Sequence, residues 1–192
     1  MRAVLFDLDG TLIDSGMLYA ECYRRAFEAE LGEPPSWEEM LKRRPASERH
    51  FLLEWLGSDL GHRVHARMCE AYDALAGELL GGFFDGVPEM LADLRARAVP
   101  MGIVTGKSRR AFASTCRCLD LERFFEVVIL EDDVPAPKPD PRGLEAALAA
   151  LGARPSEALY VGDTPMDVEA AHRAGMTGAS ALWGKPPWSA SA

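Results

Sequence analysis

Residues 3–16 read AVLFDLDGTLIDSG. Four apolar residues, Ala3 to Phe6, run straight into acid, Leu, acid, Gly, Thr. An unbroken apolar run of this length fits a strand buried on both faces, as in a parallel sheet. Its ending is awkward for a core strand. Two carboxylates two residues apart repel each other, and neither is easily desolvated unless something positive is shared. The stretch therefore reads as a buried strand that delivers two acids to a cation, one of them free to do chemistry.

Outward from this stretch, three more apolar runs appear: PMGIVTG at 100–106, FFEVVIL at 124–130 and ALYVGD at 158–163. A helical pattern follows each. The first has Ser108 as N-cap, a residue type that satisfies free N–H groups of the opening turn. The second runs from near Asp140, with Leu144, Ala147, Leu148 and Leu151 on one stripe, to a terminating Gly152. The third has Thr164 as cap, Pro165 in the first turn and Gly175 as terminator. Strands alternating with helices predict an α/β fold, a doubly wound parallel sheet.

The interval from Ser15 to Phe84 contains no strand-like run. It reads as helices over roughly 17–31, 36–43, 47–57 and 60–80, with stripes at Leu18, Cys22, Ala26 and Ala29 and at Leu52, Leu53 and Leu56. The expected division is an α/β core of residues 1–15 and 83–192, with a small α-helical cap domain, 16–82, inserted after the first strand. An insert placed just beyond an active strand is positioned to act as a lid. The tail after Trp183 shows no periodicity.

Of the 192 residues, 48% are hydrophobic and 27% charged, which suits an ordinary globular chain. A net charge of −9 argues against broad nucleic-acid or anionic-membrane binding, but not against a small phosphorylated metabolite held at a local positive site. The expected state is a monomer or homodimer. No apolar run approaches the roughly 20 residues of a membrane span, and the N-terminal run is too short for a signal peptide, so a cytoplasmic location is expected. Cys22, Cys69, Cys116 and Cys118 lack the spacing of a common zinc site and read as buried free thiols. His50, His62, His65 and His172 read as structural or surface residues without a ligand partner. Lys107 reads as an exposed first-turn residue.

In an open parallel sheet, reactive groups gather at the carboxyl ends of the strands. Asp7 and Asp9 end the first run, Thr105 and Gly106 the second; Lys138 follows the third; Asp163 ends the fourth, with Asp167 in the next helical turn. Each alone is a common cap, turn or loop residue. Together, one set per strand end, they suit phosphoryl transfer. Asp7 and Asp163 offer the hard oxygen ligands that Mg²⁺ prefers. One acid can act as nucleophile, and Asp9 can protonate the leaving oxygen and later take a proton from water. Thr105, neighbouring N–H groups and the Lys138 ammonium can hold the non-bridging oxygens.

These motifs resemble those of the haloacid dehalogenase-like hydrolase superfamily, over essentially the whole chain. FDLDGTLIDS resembles its first motif, VTGKS the second, PKPDP the third, and VGDTPMDVEAAHRAGM the fourth. The helical insert resembles the cap of the phosphoglycolate phosphatase and β-phosphoglucomutase branch. The resemblance implies Asp7 as nucleophile and Asp9 as acid/base. It also implies Mg²⁺ held by Asp7, the Asp9 main-chain carbonyl and Asp163, with Asp167 as a further acid, direct or through water. Thr105, Gly106 and Lys138 would bind phosphate. The dehalogenases lack an acid at the position of Asp9, so a phosphate ester is favoured over a carbon–halogen bond. The alternatives are a phosphomutase of the same fold and, from another class, a receiver-type phosphoacceptor signalling module. Acids at the start of the chain and the large insert argue against the receiver. The basic stretch KRRPASERH supplies Arg44 and Arg49, which would reach a carboxylate or hydroxyls at the substrate's other end.

Overall fold

The structure, a computed structural model, describes residues 2–43 and 47–184. The chain opens with β1 (Ala3–Phe6) and the short β2 (Ile13–Asp14). Four helices follow: α1 (Gly16–Leu31), α2 (Trp37–Lys42), α3 (Glu48–Leu56) and α4 (Ser58–Leu79). Then come β3 (Gly82–Phe83), α5 (Val87–Ala96), β4 (Met101–Val104), α6 (Arg109–Cys118) and β5 (Val127–Ile129). The chain continues through α7 (Arg142–Leu151), β6 (Ala158–Gly162), α8 (Pro165–Arg173) and β7 (Thr177–Ser180).

Five strands form one parallel sheet in the order β5-β4-β1-β6-β7. β1 lies at its centre, and its side chains alternate between two cores. Val4 and Phe6 join Val87, Leu91 and Phe112 on one face. Ala3 and Leu5 join Leu144, Leu148 and Ala170 on the other. Burial on both faces explains the unbroken apolar run. The fifth strand, β7, carries the sequence TGAS at the sheet edge, so no apolar run announces it. Part of the 124–130 run is not strand: Glu122–Phe124 forms a 3-10 turn, and Phe124 packs into the core beside the sheet.

The expected caps are present. Ser108 Oγ accepts the Ala111 N–H at 3.3 Å at the start of α6. α7 ends on Gly152 in the left-handed region, φ 62°.

The helical insert lies between β2 and β3, which pair antiparallel as Ile13 with Phe83 and Asp14 with Gly82. Its entry and exit are thus tied together. Leu18, Cys22, Phe27, Leu52, Val64, Met68 and Tyr72 form its own core, joined by Ala111 from α6. Ala29, placed on the α1 stripe by spacing, is exposed, and Phe27 is buried in the helix instead.

Candidate active site

The strand order reverses between β1 and β6, where a doubly wound sheet opens a crevice at its carboxyl ends. Asp7 follows β1, and Asp163 follows β6. Asp7 is buried, and its N–H donates to the Val161 carbonyl at 2.8 Å. The chain then turns tightly, with the Leu8 carbonyl accepting N–H groups from Thr11, Leu12 and Ile13. The turn needs Gly10. Its φ is +79°, and a Cβ there would lie 2.6 Å from Asp163 Oδ2. Thr11 Oγ1 donates to Asp163 Oδ1 at 3.4 Å.

Oxygens of Asp7, Asp163 and Asp167 lie within 4.8 Å of one another. Lys138 Nζ donates to Asp7 Oδ1 at 2.8 Å, to Asp167 Oδ1 at 2.6 Å and to the Tyr160 hydroxyl at 3.0 Å. Tyr160 in turn donates to the Val104 carbonyl at 2.7 Å. Asp167 Oδ2 accepts both the N–H and the hydroxyl of Thr164, which fixes its side chain at the start of α8. Burial pushes Asp7 up to about 7; Lys138 opposes the shift, and Asp167 and Asp163 add to it. Asp163 is pushed up to about 6, chiefly by burial and by Asp167. Asp167 is also desolvated, but Lys138 and Thr164 hold it below the usual carboxylate range. Three carboxylates against one ammonium leave an excess of negative charge. The donors are hard oxygens, and the excess is what a divalent cation such as Mg²⁺ neutralises. The cluster therefore fits a metal ion.

Thr105 follows β4, buried, with its N–H on the Ile129 carbonyl at 3.0 Å and its hydroxyl accepting the Lys107 N–H at 3.3 Å. Thr105, Gly106 and Lys138 line one cleft, shared with Ser47 and Glu131. The Asp9 carboxylate pairs with Lys107. Lys107 is not the exposed residue its first-turn position predicts. It is buried, with Nζ 3.0 and 3.2 Å from the two Asp9 carboxylate oxygens and 2.7 Å from the Tyr19 hydroxyl. Its ammonium also sits 4.4 and 4.3 Å from the Tyr19 and Tyr72 ring centroids. Helices α1 and α4 cover a site that the motif alone leaves open.

His65 also departs from its sequence reading. His65 and Cys69 stand one turn apart on α4, and Nε2 lies 3.6 Å from Cys69 Sγ, from Glu48 Oε2 and from Glu131 Oε1. Burial disfavours its charge. Hydrogen bonds to Cys69 and Glu48 prevail and push it up to about 10. Glu48 accepts the Ser108 N–H at 3.1 Å and the Tyr19 hydroxyl, joining α3, α1 and the loop after β4. Glu48, His65 and Cys69 are a second group with donors within 4.8 Å, but the charged His65 already pairs with Glu48. The i,i+4 pair in HARMC was the legible signal for it.

His50 Nδ1 lies 4.0 Å from Glu131 Oε2. The four cysteines are free, and Cys118 is exposed where burial was expected. Arg49 donates its N–H to Glu131 Oε2 at 2.9 Å and turns its guanidinium to Asp132 at 3.9 Å. Arg44 lies outside the described residues.

The sequence pattern of the haloacid dehalogenase-like hydrolases matches residues 4–181, and the chain belongs to that family. It is 36% identical over 181 residues to the validoxylamine A 7'-phosphate phosphatase of Streptomyces hygroscopicus subsp. limoneus, covering 91% of this chain and 83% of that one. It is 31% identical to the phosphoglycolate phosphatase of Photorhabdus laumondii, covering 91% and 77%. A solved hydrolase from Pseudomonas syringae superposes with a TM-score of 0.81 at 27% identity, covering 96% of this chain and 86% of that one. The chain is thus a hydrolase whose relatives include phosphatases. Among the described residues no helix is long and apolar enough to cross a membrane.

Proposed function

We propose that the protein is a Mg²⁺-dependent phosphatase of small phosphomonoesters that works through an aspartyl-phosphate on Asp7. The observation that carries this reading is the meeting of Asp7, Asp163 and Asp167 with Lys138 at the β1–β6 crevice.

Asp7, the Asp9 main-chain carbonyl and Asp163 would hold the ion, with Asp167 beside them; bound there, Mg²⁺ supplies positive charge to the transferring phosphoryl oxygens. Asp7 attacks phosphorus as the ester P–O bond breaks, and Asp9 gives its proton to the leaving oxygen. Asp9 then takes a proton from water, whose oxygen attacks phosphorus and frees Asp7 and inorganic phosphate. Thr105, the N–H groups around Gly106 and the Lys138 ammonium bind the non-bridging oxygens. Residues 16–82 act as a cap that excludes bulk water, and Arg44 or Arg49 reaches a carboxylate or hydroxyls at the substrate's far end.

Asp7→Asn is expected to abolish p-nitrophenyl phosphate hydrolysis with the circular dichroism spectrum unchanged. EDTA inactivates the wild type, and Mg²⁺ restores it. Turnover retained by Asp7→Asn would move the nucleophile elsewhere. Alanine at Arg44 or Arg49 raises KM for the true substrate; unchanged kinetics in both variants remove these contacts.

A further inference from the structure

His65 stands where the helical insert meets the loops beyond the sheet, and its Nε2 is approached by three donor atoms at one distance. Cys69 Sγ, Glu48 Oε2 and Glu131 Oε1 each lie 3.6 Å away. A single Nε2–H points at one acceptor, so one proton cannot serve all three. A metal ion can. Around four-coordinate Zn²⁺, bonds of about 2.0–2.3 Å to nitrogen, oxygen and sulfur set the ligand atoms about 3.3–3.7 Å apart along the edges of a tetrahedron. All three distances at His65 fall within that range.

The donors come from both halves of the chain. His65 and Cys69, four residues apart, share one face of α4. Glu48 opens α3, and Glu131 follows β5. Both carboxylates are tethered from behind: Glu48 accepts the Tyr19 hydroxyl and the Ser108 N–H, and Glu131 accepts the Arg49 N–H. Such outer partners fix the orientation of ligands in metal sites. Glu48, Cys69 and Glu131 are buried, while His65 keeps 17% of its side-chain surface exposed, which leaves an ion a way in.

We propose that Glu48, His65, Cys69 and Glu131 form a second metal site, separate from the carboxylate cluster at Asp7, that takes Zn²⁺ or another borderline-soft divalent ion and clamps α3 and α4 to the loop after β5. A thiolate and an imidazole suit such an ion and not Mg²⁺, which asks for an octahedron of oxygens. Without the ion, the proton on His65 pairs with Glu48. Binding expels that proton and the thiol proton of Cys69, since both ligands coordinate in their deprotonated forms. Two positive charges leave and two arrive, so Lys107 and the neighbouring acids meet the same net charge as before.

The test is a Co²⁺ titration of the whole chain, reduced, stripped with EDTA, dialysed and then held in excess Mg²⁺ to occupy the Asp7 cluster. One equivalent of Co²⁺ is expected to give the intense visible bands of a tetrahedral ion and a near-ultraviolet sulfur-to-cobalt charge-transfer band, and Zn²⁺ then bleaches both. The oxygen-only cluster at Asp7 gives no sulfur band. Cys69→Ser abolishes the sulfur band. His65→Gln and Glu131→Gln each lower Co²⁺ affinity by about tenfold or more, the loss that even an outer partner causes. A Cys116→Ser, Cys118→Ser double variant keeps the wild-type spectrum. Absence of the sulfur band in the wild type, its survival in Cys69→Ser or its loss in the double variant overturns the site. Unchanged affinity in His65→Gln does the same, and decides the matter if Cys69→Ser does not fold. Unchanged affinity in Glu131→Gln overturns the clamp to the loop after β5.

Discussion

Lys107 shows how a residue's meaning depends on what covers it. A lysine ammonium with no exposed side-chain surface persists only because Asp9, the Tyr19 hydroxyl and two ring faces replace water. Removing it leaves Asp9 without its partner and Tyr19 OH beside an apolar stem. Asp9 keeps 21% of its side-chain surface exposed, so water offsets part of the loss. Lys107→Met is therefore expected to cost about 3 kcal/mol, the low end for a broken buried pair. Urea denaturation of the two proteins gives the number, and a midpoint shift near zero would show that Asp9 does not need this cation in the folded state.

At the level of elements, β1 was legible because a central parallel strand is apolar at every position and its acids follow without a gap. The four helices of the insert were legible, α1 and α3 from their stripes, with ends that agree within a residue or two. β7 was not: TGAS owes its place to pairing with β6, not to its own composition. The cluster of Asp7, Asp163, Asp167 and Lys138 was readable as a group because its members follow strand ends in order. The network of Lys107, Tyr19, Glu48 and His65 was not, because its members come from separate helices and the loop after β4, and only packing makes them neighbours. That packing has a testable centre. Leu52, fully buried in α3, joins the insert core with residues of α1 and α4. Leu52→Ala is expected to cost about 2–5 kcal/mol, the transfer term plus the cavity. Amide exchange should rise in α1, α3 and α4 while β1 and β4 stay protected. Equal loss of protection in the sheet would mean that insert and sheet unfold as one unit.

Across the whole molecule, two devices join the insert to the sheet. The β2–β3 ribbon closes its covalent ends. On the far side, Glu48 and His65 of the insert meet Glu131 and Ser108, which follow β5 and β4. This second device is electrostatic, so it depends on pH in a definite direction. His65 titrates near 10 in the folded protein and near 6.5 when free of its partners. A raised folded value means that the proton is held more tightly in the native state. Its stabilisation is thus complete below pH 6.5, declines as pH climbs, and is gone once pH passes about 10. Glu131, pushed up to about 7 chiefly by burial and by Glu48, acts in the same direction but earlier: its share declines from about 4.5 to 7. His65→Gln keeps a polar side chain and removes the charge. The stability gap between wild type and variant, from urea midpoints, should be largest near pH 6.5 and shrink toward pH 10. Taking the difference cancels the thiols of Cys22 and Cys116, whose raised values weigh on both proteins alike at high pH. A gap that stays constant over this interval would mean that His65 joins the two halves by shape alone, and that no proton holds the insert over the sheet.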